Sequence, residues 1–262
     1  MSTLEAIWPN MILLHTAGFT RGSARFPNES PVRRVPLSPY LIDRLPVTNA
    51  QFARFIAEGG YCTPRFWTKV GWRFVRDHGL QAPNYWADSN WNDPDLPVTG
   101  ISWWEARAYA AFVGKTLPTE AQWEYAAGLG GRTYPWDDAG PTHEHANFAP
   151  GCEPQELRRR GTPVEGLPLN FAASGCRDMA GNVGEWCLDN ASNNYEWDRG
   201  DPDPLFTTRE DDPHVLRGGS GLHDEDALRC ASRDYYAPTL RDNITGLRCV
   251  VWPLEAPDED NR

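Results

Sequence analysis

The side chains best suited to metal or nucleophilic chemistry are six cysteines, at 62, 152, 176, 187, 230 and 249, and six histidines, at 15, 78, 143, 145, 214 and 223. Their spacing does not organise them. No Cys-x-x-Cys pair occurs, so zinc-ribbon and thioredoxin chemistry lack their ligands, and each cysteine reads as a small buried apolar residue of a reducing compartment. There is no Gly-x-Ser-x-Gly and no Walker loop. The acidic pairs Glu225/Asp226 and Asp211/Asp212 are adjacent in sequence, and solvation is their expected role. The chemistry that the spacing does support is recognition. From 221 onward, Arg229, Ala231, Arg233, Pro238, Arg241, Gly246 and Arg248 alternate with clusters of tyrosine, aspartate, glycine, asparagine and histidine, the composition of a paratope. Tyrosine offers a large contact area at small entropic cost, and the small polar residues adapt their hydrogen bonds.

Such clusters need elements to hold them. Thr48 with Gln51, Ser102 with Glu105, and Thr119 with Gln122 each have the spacing of a capping box, in which two side chains satisfy first-turn N–H groups. They predict helices over about 49–58, about 103–113 ending at Gly114, and from Pro118 to the glycine-rich breaker at 128–131. The first carries Phe52, Phe55 and Ile56 on one face. The second carries Ala106, Tyr109, Ala110 and Val113, and the third Trp123, Tyr125, Ala126 and Ala127. Beyond 130 helical periodicity is scarce, and Val215-Leu216 and 247–252 read as strands between long loops. The expectation is an α+β chain, with helices in the first half, irregular structure with short strands in the second, and a frayed acidic end at 257–262.

With 262 residues, 40% of them apolar, the chain is long enough to bury a sizeable core in one large domain or two small ones. Twelve tryptophans against three methionines point to a rigid aromatic core, and 23 glycines with 23 prolines to many turns, which argues against a helical bundle. A net charge of −11 argues against nonspecific nucleic-acid binding, which needs a basic stripe. The basic side chains are 23 arginines and only Lys69 and Lys115, read here as genomic base composition. No run approaches the ~20 apolar residues of a membrane span. The start lacks a basic n-region and has only the short apolar run at 11–14, so a cytoplasmic location is expected.

Several ordered segments together carry a resemblance: LPVTN at 45–49, LPTEAQWEY at 117–125, DMAGNVGEW at 178–186, LRGGS at 216–220, and Arg229 onward to GLRCV at 246–250. The chain resembles the formylglycine-generating-enzyme (sulfatase-modifying-factor) family over about 10–253. That family implies a C-type lectin fold with little regular secondary structure, in a single domain spanning 1–262. It includes copper-dependent formylglycine generators, iron-dependent sulfoxide synthases, non-catalytic paralogues and hypervariable proteins of diversity-generating retroelements. Fold therefore leaves function open.

In the copper enzymes two cysteines follow the Gly-Gly-Ser turn. Here His223 stands at the first position and Leu228 at the second, and Cys230 is alone. The iron motif His-x3-His-x-Glu and its helical-bundle domain are absent from this sequence, so neither copper nor iron is expected. A family disulfide partner for Cys249 is missing too, since Ala110 and Ala111 stand in the second helix. The resemblance also implies structural calcium. Asn182 and Glu185 match its ligands, oxygen donors suited to a hard cation, and Asn147 would contribute to a second site.

The resemblance thus points to a non-catalytic protein that binds a protein or other macromolecule through its C-terminal surface, about 217–250, as a monomer. The retroelement variable protein is its specific form. The expected contact residues are Gly221, Leu222, His223, Asp224, Asp226, Asp234, Tyr235, Tyr236, Thr239, Leu240, Asp242 and Asn243, with the two tyrosines as anchors. The variable segment of such proteins is diversified at adenines, chiefly in AAC codons. The seven residue types among these twelve are all reachable from AAC, whereas Glu225 is not. The alternatives are an oxidoreductase of the same family with a non-standard active site and a non-catalytic paralogue.

Overall fold

All three predicted capping boxes form, each with both reciprocal hydrogen bonds. In the computed structural model, which describes residues 7–149 and 161–252, they start helices α1 (Asn49–Ala57), α3 (Trp103–Phe112) and α4 (Glu120–Gly128). A fourth helix, α2 (Lys69–Asp77), was not anticipated. Its cap, Thr68, accepts a bond from Gly71 N without the acidic or amide partner that completes a box. Cys152 and 257–262 lie outside the described residues.

The strands depart further from expectation. The two longest, β1 (Met11–Arg21) and β2 (Arg33–Asp43), lie in the first half and form an antiparallel hairpin. Pro36 and Pro39 interrupt β2, and they fall where its register against β1 shifts, between Phe19↔Val35, Thr16↔Leu37 and Leu14↔Tyr40. A proline cannot donate to the ladder, so the bulges accommodate both. The short strand β7 (Val250–Val251) pairs with the other edge of β2, which brings the first and last described strands into one sheet.

The second sheet has the order β5-β4-β3-β6, from β3 (Gly184–Asn190), β4 (His214–Arg217), β5 (Arg233–Tyr236) and β6 (Thr245–Gly246). Strands β3, β4 and β5 pair antiparallel, and β6 lies parallel to β3. Val215-Leu216 is thus a strand as expected, whereas only parts of 247–252 are. The whole is the mixed α+β, C-type lectin architecture with few helices and short sheets.

Aromatic side chains fill the space between these elements. Phe52 of α1 stacks on Tyr109 of α3 at 5.2 Å, and Phe55 contacts Tyr61, Trp67 and Phe112 around them. A second cluster lies beneath the hairpin and centres on Phe19, Tyr40 and Trp123. A third joins Tyr134, Trp136, Phe148 and Leu228. Ring pairs of this kind add to the burial of their area, and they leave rigid walls on which the C-terminal segment is laid.

Candidate functional site

The C-terminal segment contains little regular structure, and five arginines fasten it. Arg229 grips Glu29 through both terminal nitrogens at 2.9 and 2.7 Å. Arg233 binds Glu120 at 2.7 and 2.9 Å, Arg241 binds Glu105 at 2.7 and 3.0 Å, and Arg248 binds Glu185 at 2.6 and 2.8 Å. Arg217 pairs with Glu124. Two-point guanidinium–carboxylate contacts fix direction as well as distance. All five glutamates are buried. Burial alone would raise Glu120, but Arg233, Arg217 and Arg21 outweigh it and hold the carboxyl at about 2.

The turn after β4 is equally constrained. Gly218 and Gly219 both have positive φ, 92° and 64°, and a Cβ on Gly219 would lie 2.9 Å from the Ala227 carbonyl. Only glycine adopts this conformation without strain.

Between these anchors the expected contact residues separate by exposure. Asp224, Asp234, Tyr235 and Thr239 are exposed. Leu222, His223, Asp226, Tyr236, Leu240, Asp242 and Asn243 are half-buried, and Gly221 is buried. On β5 Arg233 is buried in the charge network, while its neighbours Asp234 and Tyr235 are both exposed on a strand at the sheet edge. Asp234 accepts from the Tyr236 hydroxyl at 2.8 Å. Burial, that bond and the nearby Asp234 and Asp242 charges push the Tyr236 phenol up to about 12. Tyr236 and Leu240 also pack against the aromatic cluster. His223 and Asp234 line one small concavity of about 70 Å³ with Gly218, Gly219 and Ser232. Asp226 is more than a solvated carboxylate, since it pairs with Arg25 at 2.5 Å and stands 3.7 Å from Arg229.

The residues at the cysteine positions do not fit a thiolate pair. His223 Nδ1 lies 2.7 Å from the Ser220 hydroxyl, and Leu228 is buried in the third cluster. Cys230 is buried, and burial pushes its thiol far above the ordinary range, so it is held as the neutral thiol. Cys249 is a free, buried thiol, as are Cys176 and Cys187.

Asn182 and Glu185 likewise do not fit a calcium site as they are arranged. Glu185 accepts from Trp123 Nε1 at 2.7 Å in addition to Arg248, so a guanidinium already neutralises it. Asn182 accepts from Thr162 N at 2.8 Å and donates to the Thr162 carbonyl at 2.9 Å. A divalent cation would have to displace a buried arginine. Asn147 lies against Gly221, and its carbonyl accepts from Asn182 N at 2.8 Å.

Sequence reasoning missed the glutamate half of the anchor. Glu105 was visible as a capping-box residue, yet its carboxylate also binds Arg241 and the Tyr61 hydroxyl. Glu29 and Arg21 carried no local signal. Arg21 reaches Glu120 and Asp198 at 2.9 and 3.0 Å.

A C-type lectin scaffold with an arginine-anchored C-terminal segment defines a class of protein, and known proteins identify the family within it. The model of the sulfatase-modifying factor enzyme 1-like domain matches residues 2–252, and the chain belongs to that family. It is 35% identical to a formylglycine-generating enzyme of Thermomonospora curvata, covering 86% of each chain. It is 34% identical to a hercynine oxygenase of Mycolicibacterium thermoresistibile, covering 87% of this chain and 54% of that one. The chain thus spans about half the length of the hercynine oxygenases it matches. Among solved structures it is similar in fold to PvdO of Pseudomonas aeruginosa, with a TM-score of 0.68, 23% identity and 92% and 93% of the two chains covered. Variable protein 1 of Treponema denticola aligns with a TM-score of 0.65 and 20% identity, over 93% and 95% of the two chains. No described helix is long and apolar enough to cross a membrane.

Proposed function

We propose that the chain is a non-catalytic binding protein that takes up a protein or other macromolecular ligand on its C-terminal surface, with the retroelement variable protein as its specific form. One observation carries this reading. The exposed residues Asp224, Asp234, Tyr235 and Thr239 stand between arginines that are paired and largely buried, so contact residues can change while the arginine–glutamate pairs hold the segment in place. The residues at the two cysteine positions, His223 and Leu228, support it. So does the fold shared with the Treponema variable protein. Nucleotide sequencing beside the gene tests the specific form. A near-copy of codons 217–249, differing chiefly at adenines and lying by a reverse transcriptase, is the expected finding. Its absence sinks the retroelement form.

The second reading, an oxidoreductase with a non-standard active site, is favoured by the 34–35% identity to relatives named as enzymes. Such an enzyme would take up copper or iron stoichiometrically after purification. Elemental analysis of copper- and iron-loaded, desalted protein separates the two readings, because a binding protein retains neither metal.

A further inference from the structure

Helix α3, strand β3 and the loop before β4 line an open cavity of about 240 Å³, enough for about eight water-sized groups. Trp103, Arg107, Leu188, Asn190, Glu210 and His214 line it. It opens at the His214 end of β4, whereas the concavity holding His223 and Asp234 lies at the Leu216 end.

One wall is aromatic and electrically neutral. The Trp103 and His214 rings stack 3.7 Å apart at 15°. The indole donates to the Cys187 carbonyl at 2.8 Å. His214 lies 3.2 Å from the Asp189 carbonyl through Nδ1, and its Nε2 lies 3.2 Å from the Glu210 carbonyl and 3.3 Å from Asn190 Nδ2, so the protein already engages both ring nitrogens.

The other walls hold opposite charges that do not pair. Arg107 is half-buried and sits 5.1 Å from the centroid of the Trp103 ring. It has no hydrogen-bond or ion-pair partner among the described residues, unlike the anchoring arginines. Glu210 accepts from the Thr68 hydroxyl through Oε1, and its Oε2 has no partner among the described residues. Burial lowers Arg107, and only the Glu210 charge opposes the shift. An anion alone would meet Glu210 and a cation alone would meet Arg107. A small molecule carrying both charges satisfies both walls.

We infer that this cavity binds a free α-amino acid, its carboxylate on Arg107, its ammonium on Glu210, and its side chain against Leu188 and Leu205. A guanidinium that lines the cavity and that no acceptor among the described residues neutralises is the feature such a ligand completes. The site shares no lining residue with the expected contact residues, although His214 pairs with Tyr236 in the sheet, and it does not depend on their role.

Isothermal titration calorimetry of the full chain tests it with the common protein amino acids. L-leucine methyl ester, which lacks the carboxylate, and 4-methylpentanoate, which lacks the ammonium, serve as single-charge probes beside L-leucine. The expected result is saturable binding of at least one apolar amino acid with a Kd below about 1 mM, and both single-charge probes at least about tenfold weaker than L-leucine. Arg107→Gln should produce the same loss with an unchanged melting temperature, while Glu210→Gln should weaken L-leucine and spare 4-methylpentanoate. Three results would overturn the inference: no saturable binding of any amino acid up to about 10 mM, 4-methylpentanoate binding as tightly as L-leucine, or wild-type affinity in Arg107→Gln. The probe comparison is made on the unmutated protein and does not depend on either variant folding.

Discussion

Arg248 and Glu185, 63 residues apart in sequence, meet in a two-point contact at 2.6 and 2.8 Å with both side chains essentially out of solvent. Through its other contacts Arg248 also reaches the Asp43 carbonyl at 3.0 Å and the Arg177 carbonyl at 2.9 Å. One side chain therefore ties the end of the chain to the hairpin, to the loop before β3 and to β3 itself.

Breaking that pair from one side should cost much more than its net contribution. Glu185→Gln leaves a buried guanidinium without its anion, and a loss of about 3–5 kcal/mol is expected. Urea unfolding checks this; a change under about 1 kcal/mol would mean that Arg248 finds another acceptor.

Tyr235 should behave oppositely. Its side chain is 45% exposed on an edge strand, so Tyr235→Ala should stay within about 0.5 kcal/mol of the parent. Tyr236→Ala should cost more, because that ring packs against the aromatic cluster and donates to Asp234. Thermal melts of both variants suffice, and equal losses would contradict the division into contact and support residues.

In α3, the two partners of one capping box should differ sharply. Ser102→Ala removes a single cap bond and should cost about 1 kcal/mol. Glu105→Ala removes that bond's reciprocal, the partner of Arg241 and the acceptor of the Tyr61 hydroxyl, so about 3 kcal/mol or more is expected. Similar values from denaturant titration would show that Arg241 contributes little.

Burial lowers His214 to about 4 from its ordinary 6.5. The folded protein therefore keeps the imidazole neutral where the unfolded chain has already taken up a proton. Its contribution to stability is present above pH 6.5 and is lost as the pH falls toward 4, by up to about 3 kcal/mol. An NMR titration of the His214 ring should show a midpoint near 4, and a midpoint near 6.5 would contradict the buried stack on Trp103.

Thiol reactivity should follow burial. In a Cys152→Ser background the native protein should present one reactive thiol, the exposed Cys62, while Cys176, Cys187, Cys230 and Cys249 react only after denaturation. A second fast-reacting thiol in Ellman's assay that disappears in Cys230→Ser would place Cys230 in reach of solvent and reopen its chemistry.

What was legible was local. Thr48–Gln51, Ser102–Glu105 and Thr119–Gln122 each specify a helix start within four residues, and all three formed. The hairpin was not legible, because Pro36 and Pro39 break the alternation of β2 and only pairing with β1, through its bulges, makes a strand of it. The contact residues of β5 could be proposed from composition. Which of them face solvent depends on a register that pairs Tyr235 with Val215 and Arg233 with Arg217.

By itself, then, the sequence determined the family, through short ordered motifs, and the helix starts, through hydrogen bonds that span three residues. The tertiary structure alone decided the charges. Arg229 finds Glu29 across 200 residues and Arg233 finds Glu120 across 113, while Arg107 and Glu210 share a cavity without pairing. An arginine carries no mark of its partner, because the energy of a buried charge is set by what surrounds it in space.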